Sequence, residues 1–296
     1  MSGQLALRLQ MAKQKAEALL RDEGLLANIP IDPFAIAASR GITVQPKSDT
    51  EAGVSGMLLR HGNNFGILYA THIGSEGFQR FSVAHELGHY FLEGHVDHVL
   101  KAGIHASHAG FVSADPYELE ADSFAAGLLM PASSMKSLFK LNDPGMAIID
   151  RAASDFNTSL TATAIRYAEL TDDAVAVIVS RGSTIDYCFI SEAMKSLPNL
   201  DWPRKGSAVP DRTATKSFNN DQANVSRADR TETKIDVQYW LGGTQKAFVT
   251  EEVVGLGAYG KTLTVLSSQS IGSEDETDED EEERLEESWT PKFRGY

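Results

Sequence analysis

The chain has 296 residues, 42% hydrophobic and 23% charged, enough for one large globular domain or two ordinary ones. Its single cysteine, Cys188, excludes an intrachain disulfide and a cysteine-built metal site, and no apolar run approaches the ~18 residues of a bilayer-spanning helix. The net charge of −14 does not favour binding nucleic acid by bulk attraction, and a start without a secretory signal places the chain, by expectation, in the cytoplasm and off the membrane.

Taken in chain order, Leu5, Leu9, Ala12, Ala16 and Leu19 recur at helical spacing and predict an amphipathic surface helix over residues 4–21. Asp32-Pro33 opens a short helix, with Asp32 as its cap and Gly41 as its stop. A strand over Ile42–Gln45 follows, then a hairpin of Ser55–Arg60 and Phe65–Ala70 around Gly62-Asn63-Asn64. Residues 78–92 read as a helix and 93–114, rich in Gly, His and Ser, as a loop. Asp115-Pro116 starts another helix that runs to about Met130, and two or three more helices lie between 132 and 170.

At Asp172 the character changes. Ala174–Ser180, Ile185–Ile190, Lys234–Trp240, Ala247–Val254 and Thr262–Leu266 are strand-like, and the polar stretch 203–232 reads as a long loop. Residues 274–287 hold eleven acids and one arginine, so this segment carries −10 of the net charge and is expected to be a disordered tail. The expected organisation is α+β: a catalytic domain over 1–171, a smaller sheet-rich α/β domain over 172–270, and an acidic tail over 271–296.

Chemistry concentrates in Phe81–Leu92 (FSVAHELGHYFL), which contains H-E-x-x-H. Residues four apart lie on one face of a helix, so His85 and His89 can turn both imidazoles toward one Zn²⁺. Glu86, beside His85, is placed to take a proton from a metal-bound water. Gly88 weakens a helix by roughly 1 kcal/mol relative to alanine, which implies a packing reason for it.

A catalytic zinc keeps three protein ligands and one open position. Ligand geometry favours Glu118 for the third place, with Glu120 and His95 as alternatives. Glu118 and Asp122 are four apart, so both can face the first helix, and Asp122 can accept the N–H of a ligand histidine. His95 has the spacing of a longer zinc motif that needs glycine where this chain has Leu92. His95, His98, His105 and His108 otherwise read as loop histidines; one of them, or Tyr117, could stabilise an oxyanion. Cys188 reads as a core residue.

Four separated blocks, Ile31–Ile42 (IDPFAIAASRGI), Ser55–Leu58 (SGML), Arg80–His89 (RFSVAHELGH) and Glu118–Pro131 (ELEADSFAAGLLMP), resemble the ImmA/IrrE family of metallopeptidases over about residues 25–170. The resemblance implies a gluzincin-like core holding one Zn²⁺ per chain, with His85, His89 and Glu118 as ligands, Glu86 as base, and a helix-turn-helix repressor as the protein substrate. The family often carries asparagine where this chain has Asp122. Some relatives carry a GAF-like sensor domain after the peptidase, and the sheet-rich pattern beyond 171 is compatible with one; a substrate-binding role is equally open.

Two other readings compete. Ala147–Thr171 has the spacing of a helix-turn-helix, but Arg151 and Arg166 are its only basic residues, too few for a phosphate footprint, and a packed helix pair is the simpler reading. The other is a module that sequesters a repressor around a structural zinc, for which Glu86 would have no use.

Overall fold

The computed structural model describes residues 3–48, 53–72, 74–101, 103–108, 115–140, 142–244, 246–268 and 271. The acidic segment 274–287 therefore lies outside the described residues. The chain divides into two compact units, Met1–Thr171 and Asp172 onward.

The first unit runs α1 (Gly3–Asp22), α2 (Pro33–Ser39), β1 (Thr43–Lys47), β2 (Val54–His61), β3 (Asn64–Ala70), α3 (Glu76–Phe91), α4 (His95–Val99), β4 (Ile104–His108), α5 (Pro116–Leu129), α6 (Ala132–Phe139), α7 (Met146–Phe156) and α8 (Leu160–Leu170). The local chemistry accounts for the boundaries. Asp32 accepts from the Phe34 amide at the start of α2, Ser75 from Phe78 at α3, and Asp115 from Tyr117 at α5. The hairpin turns at Gly62, whose φ of +59° a side chain would disfavour.

Among the described residues, β1 to β4 form one sheet in the order β1-β3-β2-β4. β1 pairs parallel to β3, and the other pairings are antiparallel. Thus the segment expected to be a loop over 93–114 supplies both a short helix and the edge strand. Periodicity could not find β4, because IHASH carries one large apolar residue and draws its regularity from pairing with β2.

The core gathers Val83, Ala84 and Leu87 of α3, Phe124, Ala125 and Leu128 of α5, Ala12, Ala16 and Leu20 of α1, and Leu58 and Ile67 of the hairpin. Small residues set how closely the helices approach. A Cβ on Gly88 would lie 3.0 Å from the Ala121 Cα, and one on Gly127 would lie 2.9 Å from the Lys13 Cα. The packing reason expected for Gly88 is therefore the α3–α5 crossing. Arg80, buried on α3, donates to the Ile31 carbonyl and ties α3 to the segment before α2.

α7 and α8 pack as a helix pair. Ile148, Ile149, Ala152 and Phe156 of the first and Ala164, Tyr167 and Ala168 of the second are buried. Arg166 is 3% exposed and held by the Met130 carbonyl, Glu17 and Glu169, so it is not presented to a phosphate backbone.

The second unit contains β5 (Ala174–Arg181), β6 (Thr184–Ile190), α9 (Glu192–Lys195), α10 (Ala214–Asn219), α11 (Gln222–Ser226), β7 (Arg230–Asp236), α12 (Gln238–Leu241), β8 (Phe248–Gly255) and β9 (Thr262–Ser268). Its strands form an antiparallel sheet in the order β6-β5-β9-β8-β7. Two expectations are corrected here. The stretch 203–232 holds α10, α11 and the start of β7. The strand expected over Lys234–Trp240 ends at Asp236, and its apolar end turns into α12, where Trp240 and Leu241 are buried. The missed α10 is capped locally by Thr213, which accepts from the Lys216 amide, and also from a distance, since buried Glu251 of β8 accepts from the Ala214 and Thr215 amides and the Thr215 hydroxyl. Among the described residues no helix is long and apolar enough to cross a membrane.

Candidate metal centre

α3 and α5 place five of the singled-out side chains together. His85 and His89, one helical turn apart on α3, point their Nε2 atoms at each other across 3.1 Å. From α5, Glu118 brings Oε2 to 3.4 Å from the His85 Nε2 and Oε1 to 3.2 Å from the His89 Nε2. One ligand atom from each of these three residues lies within 4.8 Å of the others. Ligands of a tetrahedral ion with bonds of ~2.0–2.1 Å sit about 3.3 Å apart. The spacings found here, with a donor set of two imidazoles and one carboxylate, fit such an ion.

Each imidazole is also held from behind. His85 Nδ1 is 2.8 Å from Asp122 Oδ1, so the second α5 carboxylate stands where a ligand histidine needs an acceptor. His89 Nδ1 is 3.1 Å from His95 Nδ1, and His95 Nε2 is 3.1 Å from Glu120 Oε2. His95 is thus no loop histidine. It is 1% exposed at the start of α4, behind His89. Neither His95 nor Glu120 offers an atom to the cluster of His85, His89 and Glu118.

The electrostatics follow from burial and these partners. Burial alone would lower the His85 pKa, but its bonds to Asp122 and Glu118 outweigh that and hold it at about 10. His89, with burial dominant and His85 beside it, falls to about 4. Burial would raise Glu118, yet three histidines around it drive its carboxyl well below the usual carboxylate range.

Glu86 follows His85 on α3 and is fully buried. Neither carboxylate oxygen has a hydrogen-bond partner among the described residues. Burial raises its pKa, while neighbouring His85 and Ser107 oppose the rise. Ser107 stands across from Gly56 in the β2–β4 pairing but makes no hydrogen bond of normal geometry to the carboxylate. Gly56 is the floor beneath it: a Cβ there would lie 2.6 Å from Glu86 Oε1.

Among the candidate oxyanion donors, His105 of β4 reaches the cluster, with Nε2 2.9 Å from Glu118 Oε1 and its ring centroid 4.8 Å from that of His89. Tyr117 is engaged elsewhere, stacked on His98 at 3.8 Å and edge-on to His95 at 4.9 Å. Sequence reasoning missed the positions of His95 and His105 and the need for Gly56. For Gly56 a signal existed, a glycine inside a strand pattern, which marks a bulge or close approach of another group. Both hold here, since the β2–β4 register shifts between Val54 and Gly56.

Three comparisons bear on identity. No curated protein matches the chain. A solved structure, that of a Mycobacterium tuberculosis transcriptional regulator, is similar with a TM-score of 0.55 over 88% of this chain and 76% of that one. The two sequences are 14% identical, so this likeness speaks for the fold alone. Residues 37–167 match the model of the peptidase family M78, the IrrE N-terminal-like domain, and that match spans α3, α5 and every member of the cluster described above. Over this segment the chain is similar to the ImmA/IrrE family of metallopeptidases.

Proposed function

We propose that the chain is a zinc-dependent endopeptidase, with His85, His89 and Glu118 as ligands of one Zn²⁺ and Glu86 as the general base. The observation that carries this reading is the pairing of a tetrahedrally spaced His-His-Glu set with a buried carboxylate, Glu86, that has no hydrogen-bond partner of its own. A structural metal site has no use for such a group, and leaving it uncompensated costs stability.

A bound zinc supplies Lewis acidity toward the peptide carbonyl and lowers the pKa of a coordinated water from 15.7 to about 7. Glu86 is the proton carrier of the reaction. As the water oxygen bonds to the carbonyl carbon, the Glu86 carboxylate accepts the proton, and as the C–N bond breaks it returns that proton to the leaving nitrogen. Its burial raises its pKa toward the working range of such a carrier. Asp122 holds the His85 ring, and His105, whose Nε2 is 2.9 Å from Glu118 Oε1, is proposed as the donor to the carbonyl oxygen as it gains charge.

The substrate is proposed to be a helix-turn-helix repressor, so that cleavage derepresses phage, mobile-element or stress genes. The match to a peptidase family model supports a protein substrate, and the similar solved structure is named a transcriptional regulator. The test is to incubate the zinc-loaded chain with a candidate repressor and follow fragments by mass spectrometry, with Glu86→Gln in parallel. Fragments that form at equal rates in both samples would remove Glu86 from the mechanism. A stable complex without fragments would favour the sequestering module.

A further inference from the structure

Arg8 lies on α1, outside the segment that matches the family model, and ends a chain of contacts that begins at His89. His89 Nδ1 meets His95 Nδ1 at 3.1 Å, His95 Nε2 meets Glu120 Oε2 at 3.1 Å, and Arg8 Nη2 pairs with Glu120 Oε1. His89 and His95 are 0% and 1% exposed, so water cannot replace either partner. The Arg8 guanidinium also lies 5.4 Å over the Tyr117 ring, which packs edge-on to His95. α1 is itself seated firmly, at the close approach of Gly127 to Lys13.

The direction of this chain decides whether His89 can bind an ion. A neutral imidazole has one N–H and one bare nitrogen. With Glu120 accepting from the His95 Nε2–H, the His95 Nδ1 is bare and accepts from the His89 Nδ1–H, which leaves the His89 Nε2 bare and facing His85 and Glu118. Reversed, with His95 donating from Nδ1, the hydrogen of His89 moves to Nε2 and closes that atom to a ligand bond. Arg8 pairs as a cation with Oε1 of Glu120, an atom without a hydrogen bond of normal geometry, and leaves Oε2 as the oxygen that faces His95.

We propose that Arg8 is a positioning residue of the metal site, acting through Glu120 and His95 to present the bare Nε2 of His89. This rests on the metal-site reading above and extends it to a helix the family segment does not contain. His85 has its carboxylate, Asp122, in direct contact, whereas His89 is served at two removes and from another helix.

The test uses the full chain with zinc and with Arg8→Ala, Arg8→Lys, Glu120→Gln, the Arg8→Ala/Glu120→Gln double variant, and Lys13→Met as a control on the same helix. The readouts are zinc affinity by chelator competition and histidine tautomers by ¹⁵N NMR of the metal-free protein. Arg8→Ala and Glu120→Gln are expected to weaken zinc about tenfold, the lower end of what such outer contacts cost. Arg8→Lys should recover most of the loss, and Lys13→Met should lose nothing. Because the two residues act as one unit, the double variant should bind no worse than Glu120→Gln alone. In the wild type His95 should carry its hydrogen on Nε2, and in Arg8→Ala both tautomers should be populated. Arg8→Ala with unchanged affinity and an unchanged His95 tautomer would overturn the proposal, as would additive losses in the double variant. A wild type that takes up no zinc would defeat the metal-site reading, and the NMR arm would still decide the relay.

Discussion

The Glu86 carboxylate rests on the backbone of Gly56, so closely that a methyl group there would lie 2.6 Å from its Oε1. A strand residue with no side chain is therefore part of what aims the carboxylate. Gly56→Ala should push Glu86 out of place and lower kcat at least tenfold while zinc content stays at one per chain. Glu86→Gln should lose the ~10²–10⁴-fold that a positioned base contributes, again with zinc retained. Peptide-cleavage kinetics together with metal analysis check both, and a Gly56→Ala enzyme of normal kcat would show that Glu86 does not depend on this contact.

His105 touches Glu118, the proposed third ligand, from the edge strand. If it donates to the carbonyl oxygen in the transition state, His105→Phe should reduce kcat by ~10²–10³, as loss of an oxyanion donor does elsewhere, with KM little changed. A rise in KM at constant kcat would instead make it a substrate-binding group.

The pH dependence of the zinc-free protein follows from two histidines with opposite shifts. His85 is raised from 6.5 to about 10, so the stability it contributes is fully present below pH 6.5 and is lost as pH rises through about 10. His89 is lowered from 6.5 to about 4, so its contribution is present above pH 6.5 and is lost as pH falls toward 4, with Glu118 adding to the acid loss. Thermal unfolding of the zinc-free protein should peak near pH 6.5. Zinc must displace the His85 proton, so its apparent affinity should rise about tenfold per pH unit through the neutral range. The alkaline loss should vanish in the zinc-loaded protein. Calorimetry in buffers of different ionisation enthalpy would count the proton released.

Gly88→Ala sets helix propensity against packing. Propensity favours alanine by roughly 1 kcal/mol, but the added Cβ would lie 3.0 Å from the Ala121 Cα and 3.2 Å from its carbonyl oxygen, both backbone atoms that cannot rotate away. Overpacking typically costs ~1–3 kcal/mol, so the net expectation is a lower Tm. A higher Tm would mean that α3 and α5 can separate freely.

Cys188 faces the core of the second unit, and burial pushes its thiol up to about 12. In the folded protein it should react with a thiol reagent at pH 8 far more slowly than after denaturation. Equal rates would mean that β6 is open.

What was legible in the sequence is what depends on neighbours along the chain. H-E-x-x-H states its own geometry because a helix puts every fourth residue on one face, so the meeting of His85 and His89 needed only α3 to form. The capped starts of α2 and α5 were readable for the same reason, as were the apolar-rich runs of the hairpin around Gly62-Asn63-Asn64 and the Glu118–Asp122 pair on one helix face. The tertiary structure alone decided which carboxylate meets which imidazole. Glu118 and Glu120 differ by two positions on α5, and their assignment depends on how that helix crosses α3 at Gly88. It also decided that an unremarkable stretch would become edge strand β4, bringing His105 and Ser107 to the site, since a strand of IHASH is stable only when β2 supplies its hydrogen bonds. The link from Arg8 to His89 spans 81 residues and four helices. No local pattern encodes a contact of that range, because it exists only once α1 has packed on α5.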